Sequence, residues 1–291
     1  MSAPVTDPAI PRAFEPIALL SRGRTFEVWD CWDERRVCRV VVKLPRTEAR
    51  GDARVREQLL NEGRLLESLT HPHILRAYET VTEPVPMIVM ETLGGETLSH
   101  TIDETGGLDP ADIAHLGLHL TAALAQIHGR GHAHLDLKPS NVIGEAGRAR
   151  LIDLGVAVPF GDTRPEVGTW SYMAPEQVSG RGLGPHTDVW GLGATLFECL
   201  CAHPPFDDAD IEGEATGTGS GDDWPGRYPQ LERRAKLTGE SVGESPELDA
   251  LVLDCLSPEP GSRPALGEVA ARLEAIAGLP AGLRRVSRSI P

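Results

Sequence analysis

One short run of the chain concentrates residue types that proton and phosphoryl chemistry uses. It reads His134-Leu135-Asp136-Leu137-Lys138-Pro139-Ser140-Asn141. Asp136 could accept the proton of an attacking hydroxyl, and Lys138, two residues later, could neutralise a transferring phosphoryl group. A single Asp…Asn pair in a loop is more often a turn held by local hydrogen bonds, so that pair taken alone favours a structural role. The run as a whole is harder to explain in that way.

A further carboxylate, that of Asp153, follows the run at a distance that indicates a β-hairpin. Residues 141–153 predict a β-hairpin that turns near Glu145–Gly147, and Asn141 and Asp153 are equally far from residue 147. Residues at the open end of an antiparallel hairpin lie side by side. A carboxylate beside an amide oxygen is a hard, oxygen-only ligand set that suits Mg²⁺. We therefore expect Asn141 and Asp153 to form a metal site.

Another carboxylate lies on the apolar stripe of a predicted helix. Glu62 follows Leu59 by three residues and precedes Leu66 by four. A buried carboxylate is costly unless a cation pairs with it. Lys43, which ends a valine-rich strand, is the best candidate; alternatively, Glu62 lies at the edge of the stripe and reaches water. The chain has only three lysines, and Lys43 and Lys138 are two of them, which indicates that a flexible point charge is needed at both places.

The elements that must position these residues differ in secondary structure between the two parts of the chain, and together they predict an α+β fold. The N-terminal part predicts β-strands and one main helix, and the remainder is mainly helical. The predicted strands are residues 17–20, 25–32, 36–44, 74–80 and 87–92. The predicted helices are residues 54–69, 110–128, 187–201, 246–256 and 264–277. Asp109 as N-cap and Pro110 at the first helical position open the second of these helices.

Composition narrows the class of protein. The apolar fraction of 40% and the charged fraction of 24% are ordinary for a globular chain. The net charge of −15 disfavours nucleic acid and anionic membranes as partners. Neither a signal peptide nor a membrane span is visible, and the five cysteines show no disulfide or zinc spacing. We expect a cytoplasmic protein of unknown oligomeric state.

Several motifs occur together in one order and spacing. The run at 134–141, Asp153-Leu154-Gly155 and Ala174-Pro175-Glu176 together resemble the eukaryotic-type (Hanks-type) serine/threonine protein kinases in a bacterial-like form. The resemblance covers about residues 14–278. It implies a two-lobed α+β kinase fold and transfer of the γ-phosphoryl group of Mg-ATP to a Ser or Thr hydroxyl of a protein substrate.

The resemblance also implies a domain layout. The segments that we expect are a flexible arm at 1–13, an N-lobe at 14–93, a C-lobe at 94–278 and a tail at 279–291. Within the C-lobe, the acidic and glycine-rich stretch 207–223 predicts a mobile loop.

Roles follow from position in the resembled family. Lys43 would hold the α- and β-phosphates and pair with Glu62, Asp136 would be the catalytic base, and Lys138 would contact the γ-phosphate. Thr169, in the loop Gly168–Glu176, resembles the threonine that marks Ser/Thr specificity. That loop is expected to cradle a peptide-like acceptor, which argues against a small-molecule kinase.

The metal and nucleotide residues are implied in the same way. Asn141 and Asp153 would bind Mg²⁺. Met90 would be the gatekeeper beside the adenine, and Glu91 and Leu93 would be hinge residues whose backbone bonds it. The residues expected around the nucleotide are Ser21, Gly23, Val28, Val41, Lys43, Met90, Glu91, Leu93 and Ile143.

The chain departs from the family pattern where the phosphates should lie. Of the family's three loop glycines only Gly23 remains, because Ser21 and Phe26 replace the other two. Arg22 or the neighbouring Arg24 could compensate for the two missing glycines by contacting phosphate directly. Alternatively, both arginines could face solvent. Val41 stands where alanine is usual. We expect weak ATP binding, and a pseudokinase acting as a binding or scaffold module remains the alternative.

A second departure concerns regulation. Leu135 replaces the arginine that commonly grips a phosphorylated activation loop. A phosphate on Thr163 or Thr169 would therefore have one cation fewer to order it. We expect activity that depends little on loop phosphorylation.

Overall fold

The structure is a computed structural model that describes residues 10–206, 228–239 and 242–279. The described residues form two compact units. The first contains those up to Gly95 together with Arg150–Val156, and the second contains Glu96–Ala149 and those from Ala157 onward. The predicted acidic loop, residues 1–9 of the predicted arm and residues 280–291 of the predicted tail lie outside the described residues. The lobe boundaries at 93 and 278 stay a prediction.

The first unit is built on a five-stranded antiparallel sheet with the order β1-β2-β3-β5-β4. Its strands are β1 Phe14–Arg22, β2 Phe26–Asp33, β3 Cys38–Pro45, β4 Ala77–Val81 and β5 Met87–Glu91. The five predicted strands are confirmed, except that β4 begins at Ala77 and not at residue 74. Ile74 and Leu75 instead pair with Leu151, where the Leu75 N–H donates to the Leu151 carbonyl at 2.8 Å.

The strand register gives the sheet two distinct faces. Directly opposed residues share a face, and one face carries an apolar cluster. Its buried members are Ile10, Phe14, Trp29, Cys31, Val40, Val42, Leu44, Met87 and Val89. The opposite face carries Lys43, whose strand partners are Val28 and Ile88. The valine-rich strand β3 is therefore covered on both sides, which explains its nearly unbroken apolar run.

The main helix of the first unit, α1, spans Ala53–Glu67. Asp52 caps it by accepting a hydrogen bond from the Arg54 N–H at 2.8 Å. The helix lies very close to β4, because a Cβ atom added at Gly63 would fall 2.3 Å from the Thr80 Oγ1. Glycine at this position lets the helix approach the sheet closely enough to position its neighbour, Glu62.

The second unit is mainly helical, which confirms the predicted α+β class. Its helices are α2 Leu98–Thr105, α3 Pro110–His128, α4 Pro175–Ser179, α5 Pro185–Cys201, α6 Pro229–Glu232, α7 Pro246–Cys255 and α8 Leu266–Ile276. The remaining strands are β6 Glu96–Thr97, β7 His132–Ala133, β8 Val142–Glu145, β9 Arg148–Leu151 and β10 Val158–Pro159, and the last two residues of β9 belong to the first unit. In the described part of the chain, no helix is both long and apolar enough to cross a membrane.

Helix α5 is the centre of the second unit. All of its residues from Thr187 to Cys201 are buried, and it contacts α3, α7 and α8. The helix begins at Pro185, two residues before the predicted start, because the Gly184 N–H donates to the Thr187 Oγ1 and closes the first turn. Asp109 occupies the predicted N-cap position of α3, but its side chain makes no capping hydrogen bond.

The hairpin predicted after the run His134–Asn141 is present. Strands β8 and β9 are joined by Ala146 and Gly147, which have φ values of 49° and 74°. Two consecutive left-handed residues form the tight turn that suits the twist of an antiparallel hairpin. The turn therefore falls within the predicted range Glu145–Gly147.

Candidate active site

A buried ion pair joins β3 to α1 in the first unit. The Lys43 Nζ lies 2.8 Å from the Glu62 Oε1, and both side chains are at least nine-tenths buried. Glu62 therefore does not reach water at the edge of its stripe, and the cation predicted as its partner is Lys43. The pair holds the lysine at a fixed place on the sheet, two strands from the edge.

Asp153 extends this pair into a triad. Its Oδ1 accepts hydrogen bonds from the Lys43 Nζ at 3.1 Å and from the Gly155 N–H at 2.8 Å. Helix α1 also contacts this segment, since the Gln58 Nε2 donates to the Gly155 carbonyl at 2.9 Å. A Cβ atom at position 155 would lie 3.0 Å from the Asp153 Oδ1 and 3.2 Å from the Glu62 Oε2. Glycine at 155 therefore keeps the carboxylates close to one cation.

The three charges shift one another's pKa values. Burial acts to lower the pKa of Lys43, but the charges of Glu62 and Asp153 outweigh burial and raise that pKa above its ordinary value. Burial raises the pKa of Glu62 to about 7, because Lys43 compensates only part of the loss of hydration. For Asp153, burial is outweighed by Lys43 and by the Gly155 N–H, so its pKa lies well below the usual range. Asp153 is thus the firmly ionised carboxylate of the triad.

The sheet places several predicted nucleotide residues on the face that carries Lys43. Val28 is opposite Lys43, and Val41 is opposite Met90 on β5. Val41 and Lys43 are two apart on β3, so all four side chains share this face. The sequence did predict these residues, but the common face follows from the register.

The remaining predicted nucleotide residues lie in different settings. Ser21 is exposed on β1 opposite Val28, and Gly23 is exposed in the turn that follows. Leu93 is half-buried just after β5. The Glu91 carboxylate accepts the Arg76 N–H at 2.7 Å and pairs with Arg150.

Ile143 lies in the second unit, on β8 opposite Thr97. The adenine site that joins this residue to those of the first unit stays a prediction, as does the convergence of Asn141 and Asp153.

The degraded glycine loop is a tight turn with its own ion pair. The Arg22 Nε donates to the Glu27 Oε1 at 2.8 Å, and the Trp29 indole donates to the other Glu27 oxygen at 3.1 Å. Arg22 is therefore paired with Glu27 and is not an unpaired cation for phosphate, although its side chain is 60% exposed to solvent. The turn is closed by the Gly23 N–H, which donates to the Phe26 carbonyl at 2.9 Å.

In the second unit, Asp188 supports the run His134–Asn141 from the start of α5. Its two oxygens accept the N–H groups of His134 and Leu135, each at 2.8 Å, and its Oδ2 lies 2.7 Å from the His128 Nε2. Leu135 has a φ of 67°, a left-handed conformation that is strained for leucine. These hydrogen bonds hold the backbone in that conformation and direct the next residue, Asp136.

Asp136 lies among polar partners of the same unit. Its Oδ1 accepts the Thr169 hydroxyl at 2.6 Å, and its Oδ2 lies 3.0 Å from the Lys138 Nζ. Lys138 also donates to the Thr169 Oγ1 at 2.5 Å. The Asn141 Nδ2 donates to the Asp136 carbonyl and to its Oδ2, at 2.8 and 3.0 Å. The four predicted residues of this unit are thus brought together, with a threonine hydroxyl on the carboxylate.

The sequence-based interpretation missed Gln177, which connects this run to the loop that carries Thr169. Its Nε2 donates to the carbonyls of Leu135 and Val167, at 2.8 and 2.6 Å. Gly168 packs into the same junction, where a Cβ atom would lie only 2.6 Å from the Leu135 carbonyl oxygen. A polar glutamine directly after the Ala174-Pro175-Glu176 motif was the available signal.

Glu176 and Arg263 form a buried ion pair. The two guanidinium nitrogens of Arg263 donate to the two Glu176 oxygens at 2.6 and 2.9 Å, and both residues are buried. This bidentate contact fixes α4, and with it the end of the loop that carries Thr169.

The donor chemistry of two residues fits a hard cation. Asn141 uses both bonds of its amide nitrogen on Asp136, which leaves its carbonyl oxygen as its remaining polar atom. Asp153 uses one oxygen on Lys43 and Gly155, and its side chain is 42% exposed. Oxygen ligands of this kind suit Mg²⁺. In the described ranges, no cluster of three or more His, Cys, Asp or Glu side chains could hold a metal ion.

Comparison with known proteins agrees with these arrangements. A probable serine/threonine-protein kinase of Streptomyces coelicolor is 30% identical over 261 residues, which are 84% of this chain and 37% of that relative. The serine/threonine-protein kinase PknB of Mycolicibacterium smegmatis is 30% identical over 258 residues, 84% of this chain and 40% of the relative. The chain therefore spans less than half the length of these curated relatives.

The match to a family covers most of the sequence. Residues 14–272 match the family described as the protein kinase domain. That range contains both charged clusters, the one around Lys43 and the one around Asp136, as well as the sheet and all of the described helices but the end of α8. The chain belongs to the protein kinase domain family.

Proposed function

We propose that this chain is an ATP-dependent serine/threonine protein kinase. The observation that carries the proposal is the threonine hydroxyl of Thr169, which donates to the Asp136 carboxylate at 2.6 Å with Lys138 beside it. A carboxylate that holds one hydroxyl in this way has the geometry to hold that of a substrate. The names of the relatives, which describe serine/threonine-protein kinases, support the same activity.

The residues of the first unit suit the nucleotide phosphates. Lys43 offers a positive charge fixed by Glu62, and its raised pKa keeps it protonated. Protein kinase domains generally use ATP with Mg²⁺. Asp153 and Asn141 would hold the ion, which when bound would neutralise charge on the phosphate oxygens.

The residues of the second unit suit the acceptor. In the proposed reaction, the acceptor oxygen bonds to the γ-phosphorus while the bond to the β–γ bridging oxygen breaks, and the hydroxyl proton passes to Asp136. Lys138 would stabilise the negative charge of the transferring group. The proposal requires that both sets of residues act on the same triphosphate.

A kinase assay with a single substitution tests the proposal. The protein is incubated with Mg²⁺, γ-labelled ATP and a generic basic protein, and both transferred label and autophosphorylation sites are measured. We expect Asp136→Asn to lower transfer by about 10³-fold or more. Asp162→Asn is the matched control, because Asp162 pairs with its neighbour Arg164 and lies outside the cluster around Asp136. Transfer that does not exceed the protein-free background for either the wild type or Asp136→Asn would favour a non-catalytic binding module, and equal transfer above that background would contradict the role of Asp136.

A further inference from the structure

Phe26 lies against the cation that the proposed reaction needs for phosphate. The Lys43 Nζ is 5.3 Å from the centre of the Phe26 ring. This distance is within the range of a cation–π contact. Phe26 occupies the position at which the resembled family has the last glycine of its phosphate loop, so the ring is a feature that this chain adds.

The strand register, and not a chance side-chain rotamer, directs the ring toward Lys43. Phe26 is opposite Pro45, and Val28 is opposite Lys43, so Phe26 is on the sheet face of Lys43. The loop backbone is fixed on both sides of Phe26. The Gly23 N–H donates to the Phe26 carbonyl, and the Arg46 N–H donates to the Thr25 carbonyl, both at 2.9 Å.

The ammonium group of Lys43 already has its partners within the protein. It has three N–H donors, and it bonds Glu62 at 2.8 Å and Asp153 at 3.1 Å. The Phe26 ring covers a further side. The face of an aromatic ring is electrostatically negative, so it attracts the ammonium and repels phosphate oxygens. An anion that approaches Lys43 must compete with the ring.

We propose that Phe26 shields Lys43 and thereby lowers the affinity of this chain for the phosphate groups of a nucleotide, without affecting its affinity for the nucleoside. The proposal rests on the proposed kinase function, since it concerns the same site. It differs from the expectation based on Val41. A valine larger than the usual alanine would narrow the adenine slot and weaken the binding of adenosine and of ADP alike. A shield on Lys43 weakens only the binding of the ligand that carries phosphates.

Calorimetric titration of Mg-ADP and adenosine tests the shield. We expect Phe26→Gly to bind Mg-ADP about fivefold more tightly than the wild type, the equivalent of one cation–π contact, while adenosine affinity changes less than about twofold. Phe26→Leu keeps most of the side-chain volume but removes the π face, so its Mg-ADP affinity should lie between the two. Phe26→Trp, with a stronger π face, should bind Mg-ADP more weakly than the wild type.

Phe14 provides a matched control in the same unit. Its ring centre lies 5.1 Å from the Arg35 guanidinium, which is a cation–π contact that does not involve Lys43. Phe14→Leu should leave Mg-ADP affinity unchanged. Should Phe26→Gly fail to fold, Phe26→Leu and Phe26→Trp still give opposite expected shifts.

The outcomes separate this inference from the proposed function. The shield is overturned if the wild type transfers phosphate from ATP but the Phe26 variants bind Mg-ADP with wild-type affinity. It is also overturned if the affinity of these variants for adenosine rises as much as their affinity for Mg-ADP. If neither the wild type nor any variant binds Mg-ADP or adenosine, the kinase proposal fails and the shield fails with it.

Discussion

Gln177 donates a hydrogen bond from its Nε2 to the carbonyl oxygen of Leu135 at 2.8 Å. The same side chain donates to the Val167 carbonyl, and its Oε1 accepts the Ala174 N–H at 2.9 Å. Leu135 directly precedes Asp136, and Val167 precedes Thr169 by two residues. One buried, neutral side chain thus ties the run that contains Asp136 to the loop that carries Thr169. This tie consists of three hydrogen bonds of one neutral amide.

Replacing Gln177 with methionine should lower kcat about tenfold and leave the KM for ATP within about twofold. Methionine has a similar length but cannot hydrogen-bond, so Leu135 would lose a contact that holds its left-handed backbone, and Asp136 would shift. Steady-state kinetics at a temperature well below the unfolding transition separate this effect from loss of folded protein. Gln126→Met on α3 is the matched control. An unchanged kcat would show that the tie does not position Asp136.

Thr169 should be replaceable by serine but not by valine. Its hydroxyl contacts Asp136 at 2.6 Å and Lys138 at 2.5 Å, and valine has the same shape without the hydroxyl. We expect Thr169→Val to lower kcat by about tenfold or more, since two charged groups would lose their shared partner. Thr169→Ser should stay within about threefold of the wild type. Equal rates for the two variants, measured at saturating ATP, would contradict a role of the hydroxyl.

The sequence was sufficient for features that depend on strong periodicity or on joint motifs. The valine-rich β3, the stripe of α1 and the hairpin turn at Ala146-Gly147 follow from spacing, and the pairing of Glu62 with Lys43 follows from the cost of burying a carboxylate.

Other features depend on contacts between segments that are distant in sequence, which spacing does not encode. Gln177 reaches Leu135 across 42 positions, and its amide matters only because two backbone carbonyls converge on it. The ring of Phe26 meets Lys43 only through the register of β2 and β3. In the same way, Ile74 was predicted to belong to the strand 74–80, but it pairs with Leu151 and lies outside β4.

The stability contributed by Glu62 should fall as the pH rises toward 7. Burial raises the pKa of Glu62 from 4.5 to about 7, so between these values the folded protein holds a proton that the unfolded chain has lost. A group with a raised folded-state pKa stabilises the protein below its unfolded pKa, and this contribution is lost as the pH rises through the folded-state pKa. Glu62→Gln cannot titrate. The difference in melting temperature, wild type minus Glu62→Gln, should therefore decrease between about pH 4.5 and pH 7.5.

Thermal unfolding of both proteins across this range measures that difference. Glu67→Gln provides the control, because Glu67 is an exposed carboxylate on the same helix, and its curve should run parallel to that of the wild type. A difference for Glu62→Gln that stays flat, or that grows with pH, would contradict the direction of the shift.

Val37 should be a site at which a polar substitution stabilises the protein. It ends the turn between β2 and β3 with a φ of 53°, and its N–H donates to the Asp33 carbonyl at 2.8 Å. A β-branched residue in the left-handed region is strained, and Val37 is 71% exposed, so little packing is lost on replacement. Asparagine tolerates this conformation, and Val37→Asn should raise the free energy of unfolding by about 1 kcal/mol. Chemical denaturation measures the change, and Leu20→Asn, at an exposed position of β1 with ordinary φ, should show no such gain. Equal behaviour of the two variants would mean that backbone strain at Val37 does not limit stability.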